Sequence, residues 1–316
     1  MEIGALKNRG LIWMAEIAER TFYRGASHVV AISHRMGERL KARLGPRGWK
    51  VRGIPLGTDY ARFAEAEPDA TWRREQGLED KFVAVFAGTI GRVNAVPWIV
   101  KAAALLKDEP RIRLVLIGDG EMKTEVVEQA RQQGLDNVLF LDRVPRGRLT
   151  GILKTCDLGL MTLDNLPIFD TACPNKFMDY LASGLPVLVN FNGEAGWICR
   201  DEGCGVMVPP ENAEAMAQAI RDLAADPDRV RRMGERGRQL AAERFDRRVL
   251  VREFEAVLDE ARRADKHANL QKAPRRRVAP MGWVTWGRTS GKRWHALLAT
   301  PCPASRSPAC GLRSHT

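Results

Sequence analysis

The sequence predicts an α/β protein: a doubly wound parallel sheet of Rossmann-like design, with an incomplete second Rossmann-like unit ahead of it. Three observations carry this prediction. Apolar strands at 82–87, 112–117, 137–141, 157–161 and 186–190 alternate with amphipathic stretches at 94–107, 121–134, 146–155 and 174–183. Strands joined by helices of that length need right-handed crossovers, which makes them parallel and covers both faces of the sheet. Glycine follows the first two strands directly, at Gly88 and Gly118, where a strand turns sharply into a helix. With 316 residues, 45% of them hydrophobic, the chain is long enough for two domains with a core.

Leu11 to Arg24 places Leu11, Ile12, Met14, Ala15, Ile17, Ala18 and Phe22 among charged residues at helical spacing. His28 to Ile32 reads as a buried strand, and Ser33 caps a helix running to about Leu44. A short strand near Lys50 to Ile54 leads into Pro55-Leu56-Gly57-Thr58-Asp59, a turn-rich stretch suited to an interdomain crossing. The regular strand–helix alternation then begins at Phe82. Helical stretches at about 211–225, 227–244 and 246–263 close the body, with Asp226-Pro227-Asp228 read as a helix start rather than a metal site. The expected organisation is an incomplete piece of one domain at 1–58, a doubly wound domain at 59–263 and a basic, disordered or non-native tail at 264–316.

The net charge of +11 suggests a nucleic-acid binder until its distribution is read. Twelve Lys/Arg and one acid lie from Arg262 onward, leaving 38 basic and 38 acidic residues in 1–261. The body is therefore neutral in total, and a nucleic-acid function would rest on the tail. A basic arm for anionic lipid or nucleic acid is the functional reading of that tail, through Arg275, Arg276, Arg277 and its tryptophans. Its abrupt change of composition favours a non-native extension. No run approaches the ~18 apolar residues of a membrane span, and a cytoplasmic location is expected. Cys156, Cys173, Cys199 and Cys204 show no paired metal-ligand spacing and are expected as reduced thiols.

Ligands of open α/β sheets bind beyond the carboxyl ends of the strands. Gly88-Thr89-Ile90-Gly91-Arg92 lies at such an end, before a helix whose N-terminus suits a pyrophosphate or serves only as a tight turn. Gly118-Asp119-Gly120 lies at another, where Asp119 reads as a helix cap. Pro174-Asn175-Lys176-Phe177-Met178-Asp179 opens a helix with a cation and a carboxylate three residues apart, on one face. Such a pair could hold a phosphate and a sugar hydroxyl of one nucleotide, or be a solvated ion pair. Gly184-Leu185-Pro186 stops that helix before a buried strand.

Taken together, Pro174 to Val189, Phe86-Ala87-Gly88, Ile117 to Gly120, Val138 to Leu141, Cys156 to Gly159 and Gly203 to Pro210 resemble the donor domain of glycosyltransferase family four. Ala26 to Ser33 and Ile54 to Asp59 resemble the end of that family's acceptor domain, so the likeness covers about 20–263 in order. The wording is most similar to bacterial O-antigen, capsule and colanic-acid sugar transferases. The resemblance implies a GT-B fold and retaining transfer of a sugar, hexosyl or N-acetylhexosaminyl, from a nucleoside-diphosphate donor. The donor implied is a UDP-sugar, the acceptor a glycan or lipid-linked molecule, and no metal or other cofactor is expected. It leaves open peripheral contact with the inner face of the membrane. Gly88 and Gly91 would line the diphosphate, with Gly118 beside them; Arg143 and Val144 would border the base, and Asp179 would meet the ribose. Arg92, Asn94, Asn175 and Lys176 complete the candidate binding set, and no catalytic residue is assigned. The family pattern carries an Arg and a Lys where this chain has Thr89 and Asn94, and two glutamates where it has Thr171 and Asp179. Arg92 and Lys176 are the cations left to offset diphosphate charge. With only an incomplete acceptor-side piece ahead of it to close over the donor, nucleotide binding with little transfer by this chain alone is expected, and a non-catalytic nucleotide-binding remnant is the alternative. A nicotinamide-dependent dehydrogenase is disfavoured by the glycine spacing.

Overall fold

The computed structural model describes residues 8–271, with side-chain surroundings as far as 264. The N-terminal segment holds α1 (Arg9–Gly25), β1 (Val29–Ala31), α2 (His34–Leu44) and β2 (Val51–Gly53), and two short helices follow, α3 (Tyr60–Glu65) and α4 (Ala70–Glu75). Then come β3 (Phe82–Ala87), α5 (Val96–Leu105), β4 (Ile112–Ile117), α6 (Lys123–Gln132), β5 (Val138–Leu141), α7 (Arg146–Leu153) and β6 (Leu158–Met161). The body continues through α8 (Asn175–Ser183), β7 (Val187–Val189), α9 (Glu194–Glu202), β8 (Gly205–Met207), α10 (Ala213–Ala225), α11 (Pro227–Arg244) and α12 (Arg247–Gln271).

The main sheet has six strands in the order β5-β4-β3-β6-β7-β8, and every pairing is parallel. The chain winds outward from β3 through β4 to β5, then returns to lay β6 on the other side of β3. That reversal makes the crevice beyond β3 and β6 the topological switch point, where sheets of this kind hold ligands. Alternate residues of β3 serve two cores, as the pleat requires. Val83, Val85 and Ala87 pack with Phe177, Tyr180 and Leu181 of α8, while Ala84 and Phe86 pack with Ile99, Val100 and Ala103 of α5. The expected α/β class and doubly wound parallel sheet are what the chain adopts.

β1 and β2 form a separate two-stranded parallel sheet, Val29 opposite Val51. Ser33 caps α2 by accepting from the Met36 N–H at 3.1 Å, as expected. Asp226 caps α11 by accepting from Arg229 N–H at 2.8 Å, so Asp226-Pro227-Asp228 is a helix start. Gly184, in the left-handed region at φ 80°, ends α8. Several expectations are corrected. Asp119 does not cap α6, which starts at Lys123; its carboxylate accepts from the adjacent Gly120 N–H at 2.8 Å. The last helix does not stop near 263, because Ala264 to Gln271 contains no breaker and the next proline is Pro274. α12 also does more than close the six-stranded body, since Leu250 and Val257 form a small core with Ile54, packed by Val30. The rest of the basic tail lies outside the described residues. Among the described residues no helix is long and apolar enough to cross a membrane.

Candidate functional site

The end of β3 is fixed by α8: the fully buried Tyr180 hydroxyl oxygen accepts from the Ala87 N–H at 2.8 Å. Beyond it the loops after β3 and β4 clasp each other. Gly88 N–H donates to Ile117 O at 2.9 Å, and Ile90 N–H to Asp119 O at 2.9 Å. Gly118 has φ 152°, and a Cβ there would stand 1.9 Å from the Gly88 carbonyl oxygen. Its glycine identity thus serves the approach of two backbones. Gly88 differs, because its Cβ direction opens toward the Lys176 ammonium, 3.2 Å away.

Lys176 sits in the first turn of α8, whose N-terminus no side chain caps. Its Nζ donates to Asn94 Oδ1 at 2.8 Å and lies 4.3 Å from the centre of the Phe86 ring. Asn94 is held in place by its own backbone: its N–H donates to Gly91 O at 3.0 Å and its carbonyl accepts from Thr162 Oγ1 at 2.6 Å. Thr162 follows β6, so Gly88, Asn94, Thr162 and Lys176 close the switch-point crevice from both sides. Burial lowers the Lys176 pKa to about 8, and among the described residues no carboxylate pairs with it. An ammonium so placed, beside an uncapped helix N-terminus, favours an anion in the crevice.

Asp179 lies one turn further along α8 and turns elsewhere. Its Oδ1 accepts from Thr58 Oγ1 at 2.6 Å, and Arg146 approaches Oδ2 at 4.0 Å. Thr58 is fully buried and clamped by backbone bonds, donating to Phe245 O and accepting from Arg247 N–H, both at 2.8 Å. Burial raises the Asp179 pKa, opposed by the Thr58 hydrogen bond and by Arg146, Arg247 and Arg62. Lys176 and Asp179 therefore share a helix face but not a partner.

Of the remaining expected residues, Gly91 is buried in the turn and Asn175 is exposed at the start of α8. Arg92 is exposed, 3.7 Å from Glu121. Arg143 is exposed in the loop after β5, where Val144 packs on the core. Phe86, Thr162, Thr58, Tyr180 and Arg146 were not singled out by sequence reasoning. Thr162 was findable, since it immediately follows an expected strand at its carboxyl end; Thr58 was not, since its partner lies 121 positions away. Among the described residues no three His, Cys, Asp or Glu side chains converge as a metal site.

The profile of the family Glycosyl transferases group 1 matches residues 68–240, more than half of the chain. The chain belongs to this family. Among curated relatives, the putative colanic acid biosynthesis glycosyl transferase WcaI of Escherichia coli K12 is 27% identical over 247 residues, covering 76% of this chain and 59% of that protein. The D-inositol 3-phosphate glycosyltransferase of Nocardia farcinica is 28% identical over 229 residues, covering 69% of this chain and 49% of that protein. The chain thus spans about half the length of the curated relatives it matches. Among solved structures, Anabaena Alr3699/HepE, crystallised with UDP-glucose, superimposes with a TM-score of 0.67 at 20% identity, over 78% of this chain and 67% of that one. The fold of this family member is the GT-B type. The family match takes in every candidate residue from Gly88 to Asp179 and stops short of Thr58, α1, α2 and α12.

Proposed function

We propose that the crevice between the ends of β3 and β6 binds the diphosphate of a nucleotide sugar, a UDP-sugar. The observation that carries this is Lys176: an ammonium at the switch point, against Gly88, with Asn94 and no carboxylate as its partner. The UDP-glucose complex of Alr3699/HepE supports the donor class, and the colanic-acid relative supports a role in surface polysaccharide synthesis. On this reading the sugar passes to a hydroxyl of a glycan or lipid-linked acceptor with retention of configuration. Charge developing on the departing diphosphate would be offset by Lys176 and the α8 N-terminus, with Arg92 at the rim and no metal ion. Asp179 would meet the ribose and Arg143 and Val144 the base, so the ribose would compete with Thr58 for the carboxylate. Peripheral contact with a membrane follows only if the acceptor is lipid-linked.

Calorimetric titration with UDP, UDP-N-acetylhexosamines, UDP-glucose and GDP tests the donor class. UDP and one UDP-sugar should bind more tightly than GDP, and Lys176→Ala should weaken that binding about tenfold without lowering Tm. Equal affinity for UDP in the wild type and Lys176→Ala would remove the diphosphate site from the crevice. A second reading, nucleotide binding without transfer, is favoured by Thr171. It occupies a family glutamate position, is buried, and spends its hydroxyl on Ile168 O at 3.1 Å. Turnover of a bound UDP-sugar onto a glycan or lipid-linked acceptor decides between the two.

A further inference from the structure

A second gathering of charge lies outside the crevice, on the N-terminal segment. The second half of α1 and the end of α2, with the turn after it, border an open cavity of about 600 Å3 lined by the exposed Arg20, Arg24, Arg43 and Arg47 and by Tyr23, among others. Arg43 reaches Glu19 at 2.8 Å. Tyr23 shares that carboxylate, and burial followed by this hydrogen bond raises its pKa. Among the described residues no carboxylate pairs with Arg20, Arg24 or Arg47. The imbalance extends beyond the cavity: residues 9–50 carry nine Lys/Arg against three Asp/Glu, whereas 51–261 carry 28 against 34. The neutrality of the body is therefore an average over two regions of opposite sign.

Guanidinium groups gathered on one cavity repel one another until a counter-charge enters. Their planar forks suit an acceptor with several oxygens and more than one negative charge. We propose that this cavity is an anion site for a phosphate or diphosphate group, independent of the nucleotide reading of the crevice. Trp13 and Ile17 precede Arg20 and Arg24 on the same face of α1 at helical spacing, and both are exposed. An apolar strip thus adjoins the cavity, so the phosphate can be a lipid headgroup as readily as a soluble anion.

The test uses the full chain without nucleotide, comparing the wild type, Arg24→Gln/Arg47→Gln, and Arg74→Gln as a control for charge lost elsewhere; pyrophosphate held at the crevice is common to all three. One arm titrates inorganic pyrophosphate by calorimetry; the other measures cosedimentation with vesicles of phosphatidylglycerol in phosphatidylcholine. The basic stretch after 264 is common to all three proteins and cancels. The double variant should bind about tenfold more weakly in at least one arm, with Arg74→Gln unchanged. Loss confined to vesicles identifies a headgroup site, and loss with pyrophosphate identifies a soluble phosphate site. Equal binding of wild type and double variant in both arms overturns the proposal. Arg20→Gln, a single exposed position on α1, repeats the comparison if the double variant folds poorly.

Discussion

The two parallel sheets of this chain are built from similar strands and held in different ways. In the six-stranded sheet β3 is covered by α8 on one face and α5 on the other, and Val83, Ala84, Val85 and Phe86 are fully buried. In the two-stranded sheet only Ala31 of β1 and Val51 of β2 are buried, and α1 buries no residue at all. The smaller sheet is tied down by an element from the far end of the sequence, through Leu250 and Val257 of α12. Parallel strands are stable when both faces are covered. The larger sheet meets that condition with its own helices, the smaller one with a borrowed helix.

The sharpest test of this contrast compares glycines. Gly118→Ala puts a Cβ 1.9 Å from a backbone oxygen at a φ of 152°, so it combines strain and overpacking. A loss of roughly 3 kcal/mol or more in urea unfolding is expected. Gly25→Ala, at the end of α1 with open space around it, should change stability by less than about 1 kcal/mol, in the stabilising direction. Similar losses at both positions would mean that α1 is packed as tightly as the main sheet.

Leu250→Ala is the next largest. It removes a side chain that is 4% exposed and should cost about 2 kcal/mol. Hydrogen exchange should show faster opening of 29–31 and 51–53 while 82–87 and 112–117 keep their protection. Uniform acceleration would show that the two sheets open as one unit and that α12 is not what secures the smaller one.

This contrast also explains what the sequence disclosed. Five of the six strands of the main sheet were legible because each is a short apolar run between amphipathic helices; the observed bounds of 82–87 and 112–117 coincide with those read from the chain. β8, α3, α4 and α9 were not read; α3 and α4, six residues each, are too short for a helical period to stand out. In the crevice, Lys176 was legible as a cation in the first turn of a helix, and Asn94 through the resemblance to the family. The hydrogen bond of Asp179 to Thr58 was not, because it depends on where the chain crosses back between its regions, which no local pattern encodes. The tie of α12 to Ile54 was hidden for the same reason, and the arginine cavity was masked by totalling charge over the whole body.

A smaller effect concerns the crevice in the well-covered region. Burial lowers the Lys176 pKa to about 8, so its charged form dominates below that pH and is lost as pH rises through it. The charged form is the one that attracts a diphosphate. UDP affinity should therefore be highest near pH 7 and fall severalfold, up to about tenfold, toward pH 9. A bound anion stabilises the ammonium, which moves the fall somewhat above 8. Lys176→Ala should give a flat profile over the same interval. A wild-type profile as flat as the variant's would show that the ammonium does not face the nucleotide.

The smallest effect expected is at Trp13, and it bears on the other region. Trp13 is 63% exposed, α1 has no buried residue, and Leu11, Met14, Ile17 and Phe22 are exposed with it. Removing an aromatic ring from solvent forfeits almost no burial, and alanine is the better helix former. Trp13→Ala should therefore shift unfolding by no more than about 0.5 kcal/mol and leave the hydrogen-exchange protection of 82–117 unchanged. The two outcomes separate two physical situations. A negligible change fits a helix whose apolar side faces solvent and is held only where it meets its own segment. A loss above about 1.5 kcal/mol, the size expected when a large side chain leaves a packed site, would require that this face be covered in solution. Concentration dependence of that loss would then assign the cover to a second copy of the chain, since stability drawn from association rises with protomer concentration.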